Sequence, residues 1–244
     1  MNKRKEPSAT LITGANSGIG LALTQELLEQ GQHVLACDIE IDNLATLNSP
    51  HLSLNKIDVR EDGAVATVVD GAPAHIPLDG LVACAAVFRR VPFLELDESL
   101  WDETFAVNLT GTLLACQAVL PRMRAQKRGS IVLMSSSLAR TGTATGGHYA
   151  ATKGGLLGLG RSLALEYAQE GIRVNIVSPG LTDTPQPRAH AGGAEAMFER
   201  ARHIPLGRIG HTDDIVSAIT FLLDDDSSYV TGQDIRVNGG SQIS

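Results

Sequence analysis

Short apolar segments alternate with helix-like segments along the whole chain of 244 residues. The predicted strands are Thr10–Thr13, His33–Cys37, Leu52–Ile57, Gly80–Ala83, Ser130–Ser135, Arg173–Ser178 and Asp234–Val237. The predicted helices are Ile19–Gln30, Asp62–Ala72, Ser99–Gln126, Ala150–Gln169 and Asp213–Leu223. Several strands lack polar/apolar alternation, which is typical of strands covered on both faces. The pattern predicts an α/β fold, a doubly wound parallel sheet of about seven strands with helices on both faces.

The alternation runs without a linker, an internal repeat or a low-complexity tract, so residues 1–244 are predicted to form a single domain. The segment Thr182–Arg208 departs from the alternation because it contains three prolines, Gly192 and Gly193, with a short helical piece around Glu195–Arg202. A long broken segment after a strand is often a lid over a site. We expect a substrate lid around residues 182–208; a mobile surface loop is the alternative.

Composition argues against several classes of partner. The formal charge is 20 − 27 = −7, and the clearest basic cluster is Lys3-Arg4-Lys5, so no nucleic-acid partner is expected. Three cysteines, Cys37, Cys84 and Cys116, lack disulfide or zinc-ligand spacing, so we expect reduced core cysteines and no metal. We find no apolar run suited to spanning a bilayer and no signal peptide, and expect a cytoplasmic protein without a membrane partner.

A glycine-rich turn connects the first predicted strand to the first predicted helix. Gly14 permits a sharp turn, Gly18 permits close approach of a pyrophosphate, and Gly20 permits close packing of the helix on the sheet. Free N–H groups at the helix start favour phosphate, so Asn16, Ser17 and Ile19 join the predicted cofactor contacts. The turn predicts dinucleotide binding on a Rossmann-like sheet.

Asp38 ends the second predicted strand, about twenty residues beyond the glycines, and Ile39 follows it. A carboxylate there accepts hydrogen bonds from free ribose hydroxyls and repels a 2′-phosphate. Since no arginine or lysine stands beside Asp38, NAD is expected rather than NADP. The alternative is that Asp38 is an ordinary surface residue at a strand end.

A hydroxyl, a phenol and an ammonium follow the fifth predicted strand. Ser136 precedes Tyr149 by thirteen residues, and Lys153 lies four residues further, one helical turn from the tyrosine. A phenol titrates near 10, and a nearby ammonium together with an oxidised nicotinamide would lower its pKa. Tyr149 could then accept an alcohol proton during hydride transfer, with Ser136 orienting the substrate oxygen.

The chain resembles a classical short-chain dehydrogenase/reductase over essentially its full length. The matching residues are Thr13-Gly14-xxx-Gly18-x-Gly20, Asp58-Val59, Asn108, Ser136, Tyr149-xxx-Lys153, Pro179-Gly180 and Asn238-Gly239-Gly240. The resemblance implies that Tyr149 is the general acid/base, that Ser136 orients the substrate, and that Lys153 also binds the nicotinamide ribose. It also implies that Asn108 interrupts its helix and holds a water in the proton relay.

The resemblance implies further cofactor contacts as well. Asp58 would bind the adenine amino group with Val59 against the ring, and Thr182 and Thr184, after Pro179-Gly180, would meet the carboxamide. The chain departs from the family at Ala83-Cys84-Ala85-Ala86, where Asn-Asn-Ala-Gly is usual. The backbone of Cys84, Ala85 and Ala86 should still pass near the cofactor. The asparagine side-chain hydrogen bonds must be absent or replaced, and the backbone near Ala86 is expected to be more restricted than glycine.

The expected substrate pocket carries cationic and polar groups. Its predicted wall comprises Phe88–Arg90, Ser137–Arg140 and Thr145–His148, with Arg188, His190, Arg200, Arg202 and His203 on or near the lid. These groups favour a polyol, a sugar or a hydroxy acid as the secondary alcohol that is interconverted with its ketone. Solvent-facing arginines are the alternative interpretation. The alternative functions are a 3-oxoacyl thioester reductase and a non-catalytic dinucleotide sensor or scaffold; the resemblance also implies a homotetramer.

Overall fold

Seven strands form one parallel sheet with helices on both faces, in a computed structural model that describes residues 8–190 and 194–243. The strands are β1 (Ala9–Thr13), β2 (His33–Asp38), β3 (Leu52–Lys56), β4 (Leu78–Ala83), β5 (Gly129–Met134), β6 (Ile172–Pro179) and β7 (Asp234–Val237). The α-helices are α1 (Gly18–Glu29), α2 (Ala64–Gly71), α3 (Glu98–Phe105), α4 (Gly111–Gln126), α5 (Leu138–Thr141), α6 (Gly147–Tyr167), α7 (Pro185–His190), α8 (Ala194–Ala201) and α9 (Thr212–Leu223). The predicted fold class is confirmed.

The order of the strands creates a crevice at the centre of the sheet. The order is β3-β2-β1-β4-β5-β6-β7. Strands β2 and β3 are therefore added on one side of β1, and β4 to β7 on its other side. Helices that follow β1 and β4 therefore leave towards opposite faces, and the carboxyl ends of these two strands border an open space. Ligands of open α/β sheets bind at this switch point.

Apolar residues on both faces of the sheet explain the continuous hydrophobic strands. In β1, Leu11 packs into the core on one face and its neighbour Ile12 into the core on the other, and both side chains are fully buried. The first core also contains residues of α2, α4 and α6, and the second contains residues of α1 and α9. A buried central strand therefore needs apolar residues at successive positions.

The structure differs from the predicted helices at two places near the candidate site. The predicted helix Ser99–Gln126 is divided by a π-helical turn, Ala106–Thr110, which contains Asn108. The local interruption that the family resemblance implied at Asn108 is thus present. Helix α6 begins at Gly147 rather than Ala150, so Tyr149 lies inside its first turn.

The proposed lid segment is more helical than expected. Helix α8 matches the predicted piece around Glu195–Arg202, whereas α7 was not predicted because Pro185 and Pro187 read as breakers. Pro185 is the first residue of α7, where its missing N–H is not needed. Gly192, Gly193 and the cluster Lys3-Arg4-Lys5 lie outside the described residues.

The expectation that no apolar run is suited to spanning a bilayer was wrong as far as length and composition are concerned. The continuous helical stretch Glu98–Gln126 is long and apolar enough to cross a membrane by length and composition. However, α4 packs against β4 and β5 and buries Ala115, Val119 and Met123 in the core. The stretch is therefore a core helix of the α/β fold.

Candidate active site

A cleft of about 590 Å³ lies at the carboxyl ends of the central strands. It collects almost all the predicted cofactor residues: Gly14, Ser17, Gly18, Ile19, Gly20, Asp38, Ile39, Asp58, Val59, Cys84, Ala85, Ala86, Tyr149, Lys153, Pro179, Gly180, Thr182 and Thr184. Ser136 also lines the cleft, whereas Asn16 and Asn108 do not. Residues from sequence positions 14 to 184 meet here because all strands point their carboxyl ends to the same edge.

The glycine turn depends on close backbone approaches. Gly14 has a φ of 68° and Gly18 a φ of 52°, which is the left-handed region that favours glycine. A Cβ at Gly14 would lie 2.6 Å from the backbone nitrogen of Ala85, and a Cβ at Gly20 would overlap the carbonyl oxygen of Gly14. Larger residues would therefore separate α1 from β1 and close the space over the turn.

Asp38 is held at the end of β2 by the same turn. Its Oδ2 accepts a hydrogen bond of 2.8 Å from the backbone N–H of Asn16. The side-chain oxygen of Asn16 in turn accepts the N–H of Leu44 at 3.0 Å. Asn16 therefore braces the loop that carries Asp38, and Ile39 beside it is more than half exposed at the cleft.

Asp58 forms an ion pair that the sequence did not predict. The guanidinium of Arg60 donates to both carboxylate oxygens of Asp58 at 2.5–3.0 Å, and this contact lowers the pKa of Asp58. A carboxylate has about four acceptor positions, so room remains for one further donor such as an amino group. Val59 is buried beside it, against Gly111 of α4.

Ser136, Tyr149 and Lys153 meet at the junction of β5 and α6. The side chains of Ser136 and of Gln186 in α7 lie close enough to the Tyr149 hydroxyl to lower its pKa. The Nζ of Lys153 lies 5.7 Å from the centre of the Tyr149 ring and donates to the carbonyl of Met134 at 2.7 Å. The three side chains predicted from their spacing are thus brought together.

Burial determines the titration of this group in the cofactor-free protein. It raises the pKa of Tyr149 to about 12, although the side chains of Ser136 and Gln186 oppose the rise. It lowers the pKa of Lys153 to about 8. The expectation that an ammonium and an oxidised nicotinamide lower the phenol pKa concerns the cofactor-bound protein and stays a prediction. In the protein alone, removal of the phenolate from water is the largest influence on the pKa.

Asn108 lies behind the cleft rather than on its wall. Its fully buried amide accepts the N–H of Val87 at 2.8 Å and donates to the Val87 carbonyl and to Thr152 Oγ1, both at 3.1 Å. Thr152 donates to the carbonyl of Tyr149 at 2.8 Å. Asn108 therefore connects the loop after β4 with the first turn of α6.

The unusual segment Ala83-Cys84-Ala85-Ala86 fits without strain. Ala86 does not have a positive φ, so the expected restriction relative to glycine has no consequence here. The N–H of Ala85 donates to Thr13 Oγ1 at 3.4 Å, and the N–H of Val87, the next residue after Ala86, donates to the side-chain oxygen of Asn108. Burial keeps the Cys84 thiol protonated by raising its pKa to about 12.

Part of the predicted substrate wall lines the cleft. Phe88, Arg90, Ser137, Leu138 and Arg200 line it. Arg89, Ala139, Arg140, Thr145–His148, Arg188, Arg202 and His203 do not, and the side chain of His190 lies outside the described residues. His148, which was expected in the pocket wall, is fully buried, and its ring lies 6.3 Å from the ring of Phe88.

Sequence reasoning missed Arg60, Glu103 and Gln186, which all line the cleft. Gln186 offered no motif; the sole signal was its position inside the proposed lid. Among the described residues, no group of three or more His, Cys, Asp or Glu side chains could hold a metal ion. The residues that are present do fit a dinucleotide, because glycines leave a backbone cradle beside Ala85 and Asp38 faces the same cleft.

Comparison with known proteins gives the same family across the chain. A family model described as "Enoyl-(Acyl carrier protein) reductase" matches residues 14–242. The chain is 37% identical to a 3-oxoacyl-[acyl-carrier-protein] reductase FabG of Thermotoga maritima, over 98% of this chain and 100% of the relative. It is also 37% identical to a cis-4-hydroxycyclohexanecarboxylate dehydrogenase of Sinomonas cyclohexanicum, over 94% of each chain.

A solved structure agrees with the sequence relatives. A short-chain dehydrogenase/reductase from Brucella melitensis, described as glucose/ribitol dehydrogenase, superposes with a TM-score of 0.92 at 32% identity and covers 100% of both chains. The likeness extends from the glycine turn through α6 to the last strand. The chain therefore belongs to the short-chain dehydrogenase/reductase family, whose members are NAD(P)-dependent oxidoreductases acting on CH–OH groups.

Proposed function

We propose that this protein interconverts a secondary alcohol of the polyol, sugar or hydroxy-acid type and its ketone, with NAD as the cofactor. The observation that carries the proposal is the contact of Ser136 with Tyr149, beside Lys153, inside the cleft that also contains the glycine turn and Asp38. Relatives with secondary-alcohol substrates, such as the hydroxycyclohexanecarboxylate dehydrogenase, support it.

The proposed chemistry assigns one proton to Tyr149. In oxidation, Tyr149 accepts the proton of the substrate hydroxyl, while the carbon loses a hydride and a C=O bond forms. When bound, NAD(P) supplies the hydride acceptor for oxidation or the donor for reduction. Ser136 donates a hydrogen bond to the substrate oxygen, and the Lys153 ammonium stabilises the phenolate. In reduction the phenol, which is protonated in the free protein, returns the proton.

Asn108 has a positioning role in this proposal. Both of its N–H bonds and one Oδ1 lone pair are used in holding Val87 and Thr152, so one lone pair remains for the relay water that the family resemblance implies. We propose that Asn108 keeps the loop after β4 and the first turn of α6 in register around the reacting atoms.

The choice of NAD is supported by the engaged cations at the Asp38 end of the cleft. Arg60 is paired with Asp58, and Lys56 is paired with Glu40 at 3.0 Å. Among the described residues around Asp38, a 2′-phosphate would therefore meet a carboxylate without a free cation to balance it. The Asp38 carboxylate, in contrast, suits two ribose hydroxyls.

The 3-oxoacyl thioester reductase remains the second candidate, because the FabG relative covers the whole chain. NADPH is usual for such reductases, and Asp38 disfavours it. The non-catalytic sensor is the weaker alternative, since Ser136, Tyr149 and Lys153 are all present and adjacent.

We also propose a cytoplasmic homotetramer formed through the α3–α4 and α6 faces and the C-terminal strand. Trp101, Leu113 and Leu165 expose apolar surface on these helices. The three cysteines are free, as in a reducing compartment.

In sedimentation velocity we expect the mass of four chains, and Leu165→Glu should shift the protein to smaller species; a monomeric wild type would refute the assembly.

Replacing Tyr149 by phenylalanine tests the proton transfer. We expect kcat for a secondary alcohol to fall by about 10²–10⁴-fold, because the acid/base hydroxyl is lost while the ring is kept. Tyr167→Phe on the same helix is the matched control and should retain activity, because that hydroxyl contacts Glu166 outside the cleft. NADH formation followed by absorbance measures both, and unchanged turnover in Tyr149→Phe would contradict the mechanism.

Replacing Asp38 by alanine tests the cofactor choice. We expect the ratio of kcat/KM for NAD to kcat/KM for NADP to fall by about 10-fold or more, because the carboxylate no longer repels a 2′-phosphate. Asp42→Ala, an exposed carboxylate that does not line the cleft, should leave the ratio unchanged. An equal ratio in wild type and Asp38→Ala would remove Asp38 from cofactor selection.

The buried Lys153 should reduce the stability of the cofactor-free protein. We expect Lys153→Met to raise the free energy of unfolding at pH 7 by about 1–3 kcal/mol, because the ammonium no longer has to be buried. The wild-type pKa is lowered from 10.5 to about 8, so its stability should rise between these pH values, a rise absent in the variant.

Urea unfolding measured across this pH range checks the expectation for Lys153. Lys56→Met is the control, because Lys56 sits in an exposed ion pair and should change the free energy of unfolding by less than about 0.5 kcal/mol. A loss of stability in Lys153→Met at pH 7 would show that the bond to Met134 outweighs the cost of burying the ammonium.

A further inference from the structure

We propose that Arg90 and Arg200 together hold the carboxylate of the substrate, which makes the protein a dehydrogenase of hydroxy acids rather than of neutral polyols or sugars. This inference rests on the proposed function and narrows its substrate class. Both arginines line the cleft that contains Tyr149, and they come from two separate segments of the chain.

Arg90 is held at the Tyr149 end of the cleft by its neighbours. The ring of Phe88, two residues before it, lies 4.5 Å from the ring of Tyr149. The N–H of Val91, one residue after it, donates to the carbonyl of Thr145 at 2.9 Å, just before α6. The backbone on both sides of Arg90 is therefore tied to the tyrosine and to the start of its helix.

Arg200 reaches the cleft from α8. Met197 and Ala201 of this helix are buried in a small apolar cluster with Ile204 and Ile209, and Leu181 packs against it. Leu181 follows Gly180 at the end of β6, and both residues line the cleft. This cluster seats α8 over the end of β6, and Arg200, the residue before the buried Ala201, lines the cleft.

The two cations are uncompensated at this end of the cleft. Other charges nearby are neutralised: Glu103 accepts from Arg89 at 3.0 Å, and Asp183 accepts from Arg188 at 2.6 Å. In the part of the chain that the structure describes, neither Arg90 nor Arg200 forms an ion pair. An anionic group in the cleft that contains Tyr149 would therefore meet two guanidinium groups without an ion-pair partner among the described residues.

A carboxylate is the anion that best fits this arrangement in a small alcohol. A guanidinium presents parallel N–H donors that match the two oxygens of a carboxylate, and such charge-assisted bonds are stronger than bonds to neutral hydroxyls. The hydroxyl to be oxidised would lie at Tyr149, and the carboxylate would extend towards the mouth. A neutral polyol or sugar would leave both cations unsatisfied.

The test compares paired arginines and paired substrates. Arg90→Gln and Arg200→Gln are measured against Arg202→Gln, whose side chain pairs with Glu199 and does not line the cleft. The substrates are 3-hydroxybutyrate and 3-hydroxycyclohexanecarboxylate, each beside its methyl ester, with NAD⁺ and absorbance detection.

We expect KM for the acids to rise about 10-fold or more in Arg90→Gln and in Arg200→Gln, with kcat little changed. The esters should be poorer substrates for the wild type, and their KM should not change in these variants. The control variant Arg202→Gln should behave as wild type. Equal use of acid and ester by the wild type, or equal effects in Arg200→Gln and Arg202→Gln, would overturn the inference.

Three further outcomes separate this inference from the proposed function. If neutral alcohols turn over and the hydroxy acids do not, the secondary-alcohol function stands and the carboxylate site is refuted. If the arginine variants impair 3-hydroxyacyl-CoA turnover alone, the cations bind a carrier phosphate instead, which also refutes it. If no secondary alcohol, acid or thioester turns over with NAD⁺ or NADP⁺, the proposed function itself fails.

Discussion

The junction between β5 and α6 is the contact on which the site depends most. Lys153 is almost completely buried and donates through Nζ to the carbonyl of Met134, while its own carbonyl accepts from Ser135 Oγ at 2.8 Å. The last residue of the strand and the second turn of the helix are thus connected from both sides. This double connection sets the distance between Ser136, which follows β5, and Tyr149, which lies one turn before Lys153. Burial of an ammonium costs free energy. Lys153 is buried next to the ring of Tyr149, where its charge could stabilise a Tyr149 phenolate.

The cleft has different charges at its two ends. At the end near β2 and β3, Asp38 accepts the N–H of Asn16 but forms no ion pair among the described residues, while Arg60 is engaged by Asp58. At the end near α8, carboxylates are engaged by arginines while Arg90 and Arg200 remain free among the described residues. The two ends are alike in one respect. At each end ion pairs neutralise some charged side chains, and the charged side chains that remain unpaired can interact with a ligand. The free carboxylate suits ribose hydroxyls, and the free guanidinium groups suit an anion.

Much of the fold was predictable because its signals are local. Strand and helix periods, together with the rule that crossovers are right-handed, were sufficient for a doubly wound sheet, and most predicted strand ends lie within one or two residues of the observed ones. The errors have local causes as well. Pro185 begins α7 rather than preventing it. The continuous apolar pattern of residues 98–126 gives no sign of the π-helical turn at Ala106–Thr110, because such a turn alters the backbone hydrogen bonding and not the types of residue.

By itself the sequence determined the chemistry, namely the glycine turn, the acid that ends β2, and the serine, tyrosine and lysine at family spacing, because each is a short pattern of residue types. Tertiary structure alone decided how these groups are charged and which neighbours compete for them. The pKa of Tyr149 is set by burial, Arg60 is engaged by Asp58, and Gln186 meets the phenol from a helix that no motif marks. Desolvation and ion pairing depend on residues distant in sequence, so no local pattern contains them.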